Sequence, residues 1–323
     1  MYELDLLDRK IIYELGKDAR LSYRKLAKKI SSKKEVVAYR INSLIKKGIV
    51  SKFVPVFALS RLGIFSGKIY FNLKGMKNEH EITDWLVKNN DVAWVAKSVG
   101  RWDLLIGFYY KDILEFARIK KEVLSRLSSY IQDYEIAFIE DGLVLNREYL
   151  IAKKNFTREE FVFGGEPEKV KLDEIDEKII CLIKNDGRFE YFDVAKKLNL
   201  DARTVLSRIR GLKEKGILQG FTIFIDLNKI GYTLYKICIY LTSPNNDSNE
   251  KVIELLKRNP NVIHLVKSIS AWELEAEIEY ENIEKIYDYI NCLKNELSDI
   301  IRKIELVSIN NEIKLDFFPE NLI

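Results

Sequence analysis

The stretch "VVAYRINSLIKKGIV" at residues 36–50 is answered by "TVLSRIRGLKEKGIL" at residues 204–218. Displacing the chain on itself by 168 residues aligns 4–53 with 172–221 without a gap, at about twenty identities in fifty positions. Self-similarity of this quality is a duplication, and it divides the chain before any other feature does. The matched residues include Leu4/Leu172, Asp5/Asp173, Asp8/Asp176, Asp18/Asp186, Arg20/Arg188, Tyr23/Tyr191, Ala27/Ala195, Arg40/Arg208, Leu44/Leu212, Gly48/Gly216 and Phe53/Phe221. They fall on three expected helices and a turn.

The first helix is "DLLDRKIIYELGKD", opened by Asp5 as N-cap, with Leu7, Ile11, Ile12 and Leu15 on one face. The second is "SYRKLAKKI", capped by Ser22, with Leu26, Ala27 and Ile30 facing inward. A third runs from about Lys33 to Lys47, with Val37, Ile41 and Leu44 as its buried stripe. Gly48 ends it, because a helix C-terminus commonly needs a residue that accepts positive φ. After it, "IVSKFVPVF" reads as a short edge strand bounded by Pro55. Three short helices followed by a strand pair make a winged helix-turn-helix.

Downstream of each copy the pattern becomes alternately stranded and helical. In the first half, strands are expected at 68–73, 92–98, 103–110 and 133–139, and helices at 79–89 and 112–128. The order is βαββαβ, the ferredoxin-like arrangement. The second half repeats it, with strands at 234–241, 262–268, 272–280 and 300–307 and helices at 248–257 and 282–297. The fold class is therefore α+β, a winged helix-turn-helix plus a ferredoxin-like sensor domain, duplicated. The expected divisions are 1–58 and 62–150, a linker at 151–169 carrying Gly164, Gly165 and Pro167, then 170–226 and 230–323.

Length and composition agree with several packed cores: 323 residues, 47% hydrophobic and 32% charged. No apolar run approaches the ~20 residues needed to cross a bilayer, and "MYELDLLDRK" lacks the features of a secretion signal, so a cytoplasmic chain is expected. Cys181, Cys238 and Cys292 are far apart, and none belongs to a C-x-x-C pair. Neither a disulfide framework nor a metal site is suggested, and all three are expected to be small buried hydrophobes. His80 and His264 have no partner at metal-ligand spacing and are expected to be structural. No cofactor is expected.

The string "LDxxDxKII…DxRxxYxxxAKK…VxxRIxxLxxKGI" followed by βαββαβ resembles the leucine-responsive/asparagine-synthase regulators, the Lrp/AsnC family, over nearly the whole chain and twice over. Ordinary members have one DNA-binding head and one sensor domain and dimerise through the sensor sheets. The resemblance thus implies a fused dimer, with double-stranded DNA as partner, a small effector such as an amino acid, and room for further assembly of whole chains. A two-fold DNA site needs two heads at fixed spacing, and covalent linkage holds the second at high effective concentration.

The third helix must enter a major groove, so basic and polar residues outside its buried stripe are the candidate readers: Lys33, Lys34, Tyr39, Arg40 and Asn42 in the first copy, Arg203 and Arg208 in the second. Arg40 and Arg208 stand out because both copies keep arginine there, while Lys28 and Lys29 of the second helix are phosphate candidates, with solvation an equal explanation. From 4 to 53 there are fourteen Lys/Arg against five Asp/Glu, a charge of +9; from 172 to 221 ten face nine, a charge of +1. The first head is therefore expected to grip DNA harder.

In the family, small effectors bind near a Gly-x-x-Asp turn, here Gly100, Trp102 and Asp103; the alternative reading is a hairpin turn capped by Asp103. The second copy reads "SAWE" at 270–273 and has no glycine. A competing function exists, since sirohaem decarboxylases resemble the same two-domain architecture. His264 on a sensor strand leans that way, but its counterpart is Trp94, and a histidine and arginine cluster for a tetrapyrrole is missing.

Overall fold

The computed structural model describes residues 2–75, 79–151, 158, 160–168, 170–316 and 318. The first copy opens with α1 (Leu6–Lys17), α2 (Tyr23–Lys29), α3 (Lys34–Lys46) and β1 (Val50–Phe57). Its sensor half follows as β2 (Phe65–Leu73), α4 (Glu79–Lys88), β3 (Val92–Gly100), β4 (Leu104–Tyr110), α5 (Ile113–Leu127) and β5 (Ile131–Leu145). A short β6 (Glu160–Gly164) precedes the second copy: α6 (Glu174–Ile183), α7 (Tyr191–Leu198), α8 (Ala202–Glu214), β7 (Leu218–Ile225) and one turn, α9 (Leu227–Ile230). Its sensor half is β8 (Thr233–Leu241), α10 (Asn246–Arg258), β9 (Val262–Ile269), β10 (Leu274–Tyr280), α11 (Ile283–Glu296) and β11 (Ile301–Leu315).

The helices start where the sequence provides an acceptor. Asp5, Ser22, Asp112, Asp173, Asn245 and Asn282 each take a first-turn amide with the side chain. Gly48 and Gly216 close α3 and α8 at φ +67° in both copies, a conformation in which a Cβ is strained.

The chain divides into two units that do not follow chain order. Unit one is Met1–Ala58, Leu145–Phe161 and Val170–Tyr232, and so gathers both helix-turn-helix heads; unit two is Leu59–Val144, Val162–Lys169 and Thr233–Ile323, and gathers both sensor copies. The 151–169 stretch, expected to be a linker, contains β6, and its residues 152–157, 159 and 169 lie outside the described residues.

In unit one the strand after each head finds no partner in its own head, so the strand pair expected within each copy is a pair between copies. β1 runs antiparallel to β7, with Phe53 opposite Ile223, Val54 opposite Thr222 and Pro55 opposite Phe221. Val54 and Thr222 are counterparts in the repeat, and the flanking pairs are each other's mirror, so the ladder sits on a pseudo-two-fold axis. Four further backbone bonds obey the same exchange: Ala19 to Phe221 and Gly187 to Phe53, Ala58 to Ile217 and Asp226 to Ile49.

In unit two each copy has the ferredoxin order, and the ladders then continue across the copies. The hydrogen-bonded sequence β2-β4-β3-β11-β8-β10-β9-β5 returns to β2, while β6 lies along β5. This explains why β5 and β11 run fifteen residues, about twice the expected length. The first part of each pairs inside its own sheet and the rest crosses to β9 or β3 of the other copy. Helices α4 and α5 cover one face of the first sheet, packing Ile82, Leu86, Phe116, Ile119, Val123 and Leu127 on Ile69, Phe71, Val95, Ile106 and Phe108.

Among the described residues no helix is long and apolar enough to cross a membrane. Only Cys238 is buried; Cys181 and Cys292 are exposed, against the expectation for all three, because they fall on the outward sides of α6 and α11.

Candidate nucleic-acid interface

The buried stripe of α3 is Val37, Ile41 and Leu44, which leaves the opposite side to Glu35, Tyr39, Asn42 and Lys46. Tyr39 is 72% exposed, a large apolar ring held in water on a helix that has no packing need for it. Lys33 occupies the N-cap without a capping side chain, and Lys34 follows it, so the positive end of the helix dipole is reinforced by two exposed ammonium groups. Lys28 and Lys29 are exposed on α2, Lys29 bonded to Glu14 at 2.8 Å. On α8 the buried stripe is Val205, Ile209 and Leu212, and Arg203, Ser207, Arg210 and Glu214 point away from it. There the N-cap is Asp201, whose carboxylate accepts from the amide of Arg203 at 2.7 Å.

Arg40 and Arg208 have a different occupation from the one expected. Arg40 bonds the N-cap Asp5 at 2.8 Å and approaches the buried Asp8 at 3.4 Å, and Asp8 also accepts from the Tyr2 hydroxyl at 2.8 Å. Arg208 pairs with Asp173, and at 3.4 Å with Asp176, which Lys215 reaches at 3.2 Å. Each arginine thus ties the third helix to the start of the first. The Asp5 carboxyl is held below its usual range, first by the amide of Asp8 and then by Arg40. The Arg208 guanidinium is held above its own, first by its bond to Asp173.

A second pair of arginines, not assigned a role from sequence, joins the heads. Arg20 donates to the carbonyls of Gly187 and Phe189 at 3.0 Å each and lies 4.2 Å from the Phe189 ring, with Tyr191 and Phe221 beside it. Its counterpart Arg188 donates to the carbonyl of Ala19 at 3.0 Å and lies 4.1 Å from the Phe53 ring. The signal was present: both copies share Asp18/Asp186, Arg20/Arg188, Tyr23/Tyr191 and Phe53/Phe221 around a turn with no core to fill. The aspartates order that turn by accepting the amides of Arg20 and Arg188.

In unit two, Gly100 has φ +136°, and a Cβ there would come within 2.7 Å of the Leu306 carbonyl, so glycine is required by the seam between β3 and β11. Trp102 is fully buried. The Asp103 carboxylate accepts from the amide of Leu73 at 2.7 Å, and in the other copy Glu273 accepts from Leu241 at 2.8 Å. Both turns are therefore built alike, and the loss of glycine in the second does not alter the capping.

The interior of the closed ladder holds buried charge. Lys68 of β2 and Lys236 of β8, which are counterparts, both donate to Glu275, at 2.7 and 2.8 Å. Lys236 also reaches Glu277 at 2.7 Å, and Glu277 engages His264. The carboxylates are not duplicated: Cys238 faces Glu275 where Tyr70 faces Leu105. Burial alone would raise the Glu275 carboxyl, but Lys236 and Lys68 outweigh it and hold the group at about 2. Lys68 is held below its ordinary range by burial and by Lys236, and Lys236 well above it by Glu275 and Glu277 despite burial. Trp272 donates to Glu275 at 3.1 Å and takes the Tyr70 ring edge-on at 4.9 Å.

Comparison with known proteins follows this division. A family model described as winged helix-turn-helix DNA-binding matches residues 4–51 and again 172–219. The HTH-type transcriptional regulator FL11 of Pyrococcus horikoshii is 27% identical over 125 residues, 39% of this chain and 82% of that protein. LrpC of Bacillus subtilis is 29% identical over 122 residues, 38% of this chain and 83% of its own length. The chain carries this DNA-binding module twice, and it is similar to regulators of the Lrp/AsnC type. One such regulator corresponds to little more than a third of this chain. LrpA of P. horikoshii adds 36% identity over 87 residues, 27% of this chain and 58% of that one. Across the whole duplicated chain the fold is like that of the siroheme decarboxylase NirDL in co-complex with an iron-uroporphyrin III analogue. The TM-score is 0.64 at 17% identity, covering 98% of this chain and 96% of that one.

Proposed function

We propose that the chain is a transcriptional regulator that binds double-stranded DNA as an internal pseudo-dimer, laying α3 and α8 in successive major grooves. The observation that carries this reading is the pair of helix-turn-helix heads locked across a pseudo-two-fold axis, with the outward face of each third helix free of core packing. Arg40 and Arg208 are left out of the reading because their guanidinium groups hold the helices of each head together. Lys28, Lys33 and Lys34 provide the phosphate grip.

DNA affinity measured at several salt concentrations tests it. Replacing Lys28, Lys33 and Lys34 with alanine is expected to flatten the log–log salt slope by up to ~0.9 for each phosphate that is no longer neutralised. Alanine at Lys196, Lys197 and Lys213 should flatten it less. Equal slopes for wild type and the first variant would sink the reading.

Control by a small effector at the 100–103 turn is a further part of the proposal. Since Asp103 and Glu273 serve their turns alike, Asp103→Ala and Glu273→Ala are each expected to destabilise by about 1–2 kcal/mol through loss of a charged hydrogen-bond acceptor. An amino acid that protects wild type against heat, but not Asp103→Ala, would support effector binding in the first copy; silence across a panel would reject it.

A second reading, a tetrapyrrole enzyme, is favoured by the whole-length likeness in fold to NirDL. A shifted Soret band on mixing the purified protein with an iron tetrapyrrole supports it, and an unshifted band counts against it.

A further inference from the structure

The two reading helices occupy equivalent places and present unlike chemistry. Under the 168-residue repeat Glu35 corresponds to Arg203, Tyr39 to Ser207, Asn42 to Arg210 and Lys46 to Glu214. None of these four outward positions is shared, whereas the buried stripe beneath them is kept residue for residue: Val37/Val205, Ile41/Ile209 and Leu44/Leu212. The helix starts differ in the same sense, Lys33 standing uncapped where Asp201 closes the second helix with its carboxylate. A scaffold that places two surfaces symmetrically while making them chemically different has no means of reading a symmetric site.

We propose that the chain recognises a composite DNA site whose two half-sites differ in sequence. This rests on the reading of the heads as DNA-binding. The α8 face takes a half-site with guanines at two contact positions, because Arg203 and Arg210 are exposed and suit the O6 and N7 acceptors of guanine. The two arginines are two helical turns apart, about 10 Å along the axis, or roughly three base pairs. The α3 face takes a different half-site, with Asn42 matched to adenine N6 and N7, Glu35 to a cytosine amino group and the exposed Tyr39 ring to a thymine methyl. Lys33 and Lys34 add sequence-independent phosphate attraction on that side only. The first half-site therefore adds phosphate attraction to its base contacts, whereas the second depends mainly on its two arginines.

Selection of bound fragments from a random DNA pool by the full chain tests this. The expected product is a motif without dyad symmetry, with the preference for guanine at the Arg203 contact reduced roughly 5- to 150-fold in Arg203→Glu. A variant carrying Arg203→Glu, Ser207→Tyr and Arg210→Asn gives both heads the same outward residues at these positions. It should select a palindrome of the first half-site, and since the three side chains are exposed its melting should match wild type. A palindrome selected by wild type, or an unchanged motif from the triple variant, overturns the inference while leaving DNA recognition standing. No enrichment of any fragment by wild type overturns DNA recognition, and the inference with it.

Discussion

Glu275→Leu is expected to lower the unfolding free energy by about 3–5 kcal/mol, the range found when one partner of a buried charge set is removed. The substitution installs the residue that the other copy already has at this place, Leu105, so shape is nearly preserved and charge is what changes. It leaves Lys68 and Lys236 inside the ladder with Glu277 as the remaining carboxylate bonded to either of them. Lys68→Leu should be far milder. Burial and Lys236 already disfavour the Lys68 ammonium, and its removal still leaves Glu275 bonded to Lys236. The pH dependence separates the two as well. The Glu275 carboxyl is depressed to about 2 in the folded chain, from an ordinary value of 4.5. Its contribution is therefore complete above the ordinary value and drains away as pH falls from there towards 2. Glu275→Leu should lose that part of the acid sensitivity. Denaturant unfolding of both variants at neutral pH checks the ranking, and equal losses would mean that the lysines, not the carboxylate, organise the cluster.

Removing both arginines of the head clamp, Arg20→Ala with Arg188→Ala, is the second large effect. Arg20 alone makes two hydrogen bonds to backbone carbonyls and lies against three aromatic rings. Charged hydrogen bonds contribute about 1.5–3 kcal/mol and cation–π contacts about 0.5–2. A loss of about 3–5 kcal/mol for the double variant allows for β1 and β7 keeping their ladder. Lysine should not rescue, because a point charge cannot form the fork or the stack. The DNA consequence is more diagnostic than the stability change. Affinity for a full site should fall by an order of magnitude or more, while affinity for a fragment carrying one half-site should hold. Parallel losses on both fragments would mean that the clamp maintains each head and not their pairing.

The helices and the order of strands were legible because their determinants are local: a capping side chain, a stripe at helical spacing, a glycine after the last turn. What the sequence hid depends on contacts between residues well separated in the chain, from 32 positions for Arg40 and Asp8 to 207 for Lys68 and Glu275. The alternation of "WELEAEIEY" places a glutamate at every second position, the usual signature of a strand with one face in water. Here Glu275, Glu277 and Glu279 are all buried, because the closed ladder gives β10 two interior faces. Arg40 looked like a reader for a related reason. It flanks the outward side of α3, and only the folded head brings the N-cap of α1 to it. The joint repetition of Asp5, Asp8 and Arg40 was the available clue, since three residues kept together in both copies suggest that they touch.

The cross-copy ladders also bear on how such a chain would respond to its own abundance. A regulator assembled from two separate subunits passes through an association step, so the concentration of active species rises as the square of the protomer concentration when that is low. Here β1 meets β7, and β3 and β9 meet β11 and β5, within one polypeptide. The two heads are paired at any concentration, and under the proposed function occupancy of a single DNA site by one chain would rise with the first power of protein, without a dilution threshold. Synthesis of one chain produces both heads already paired.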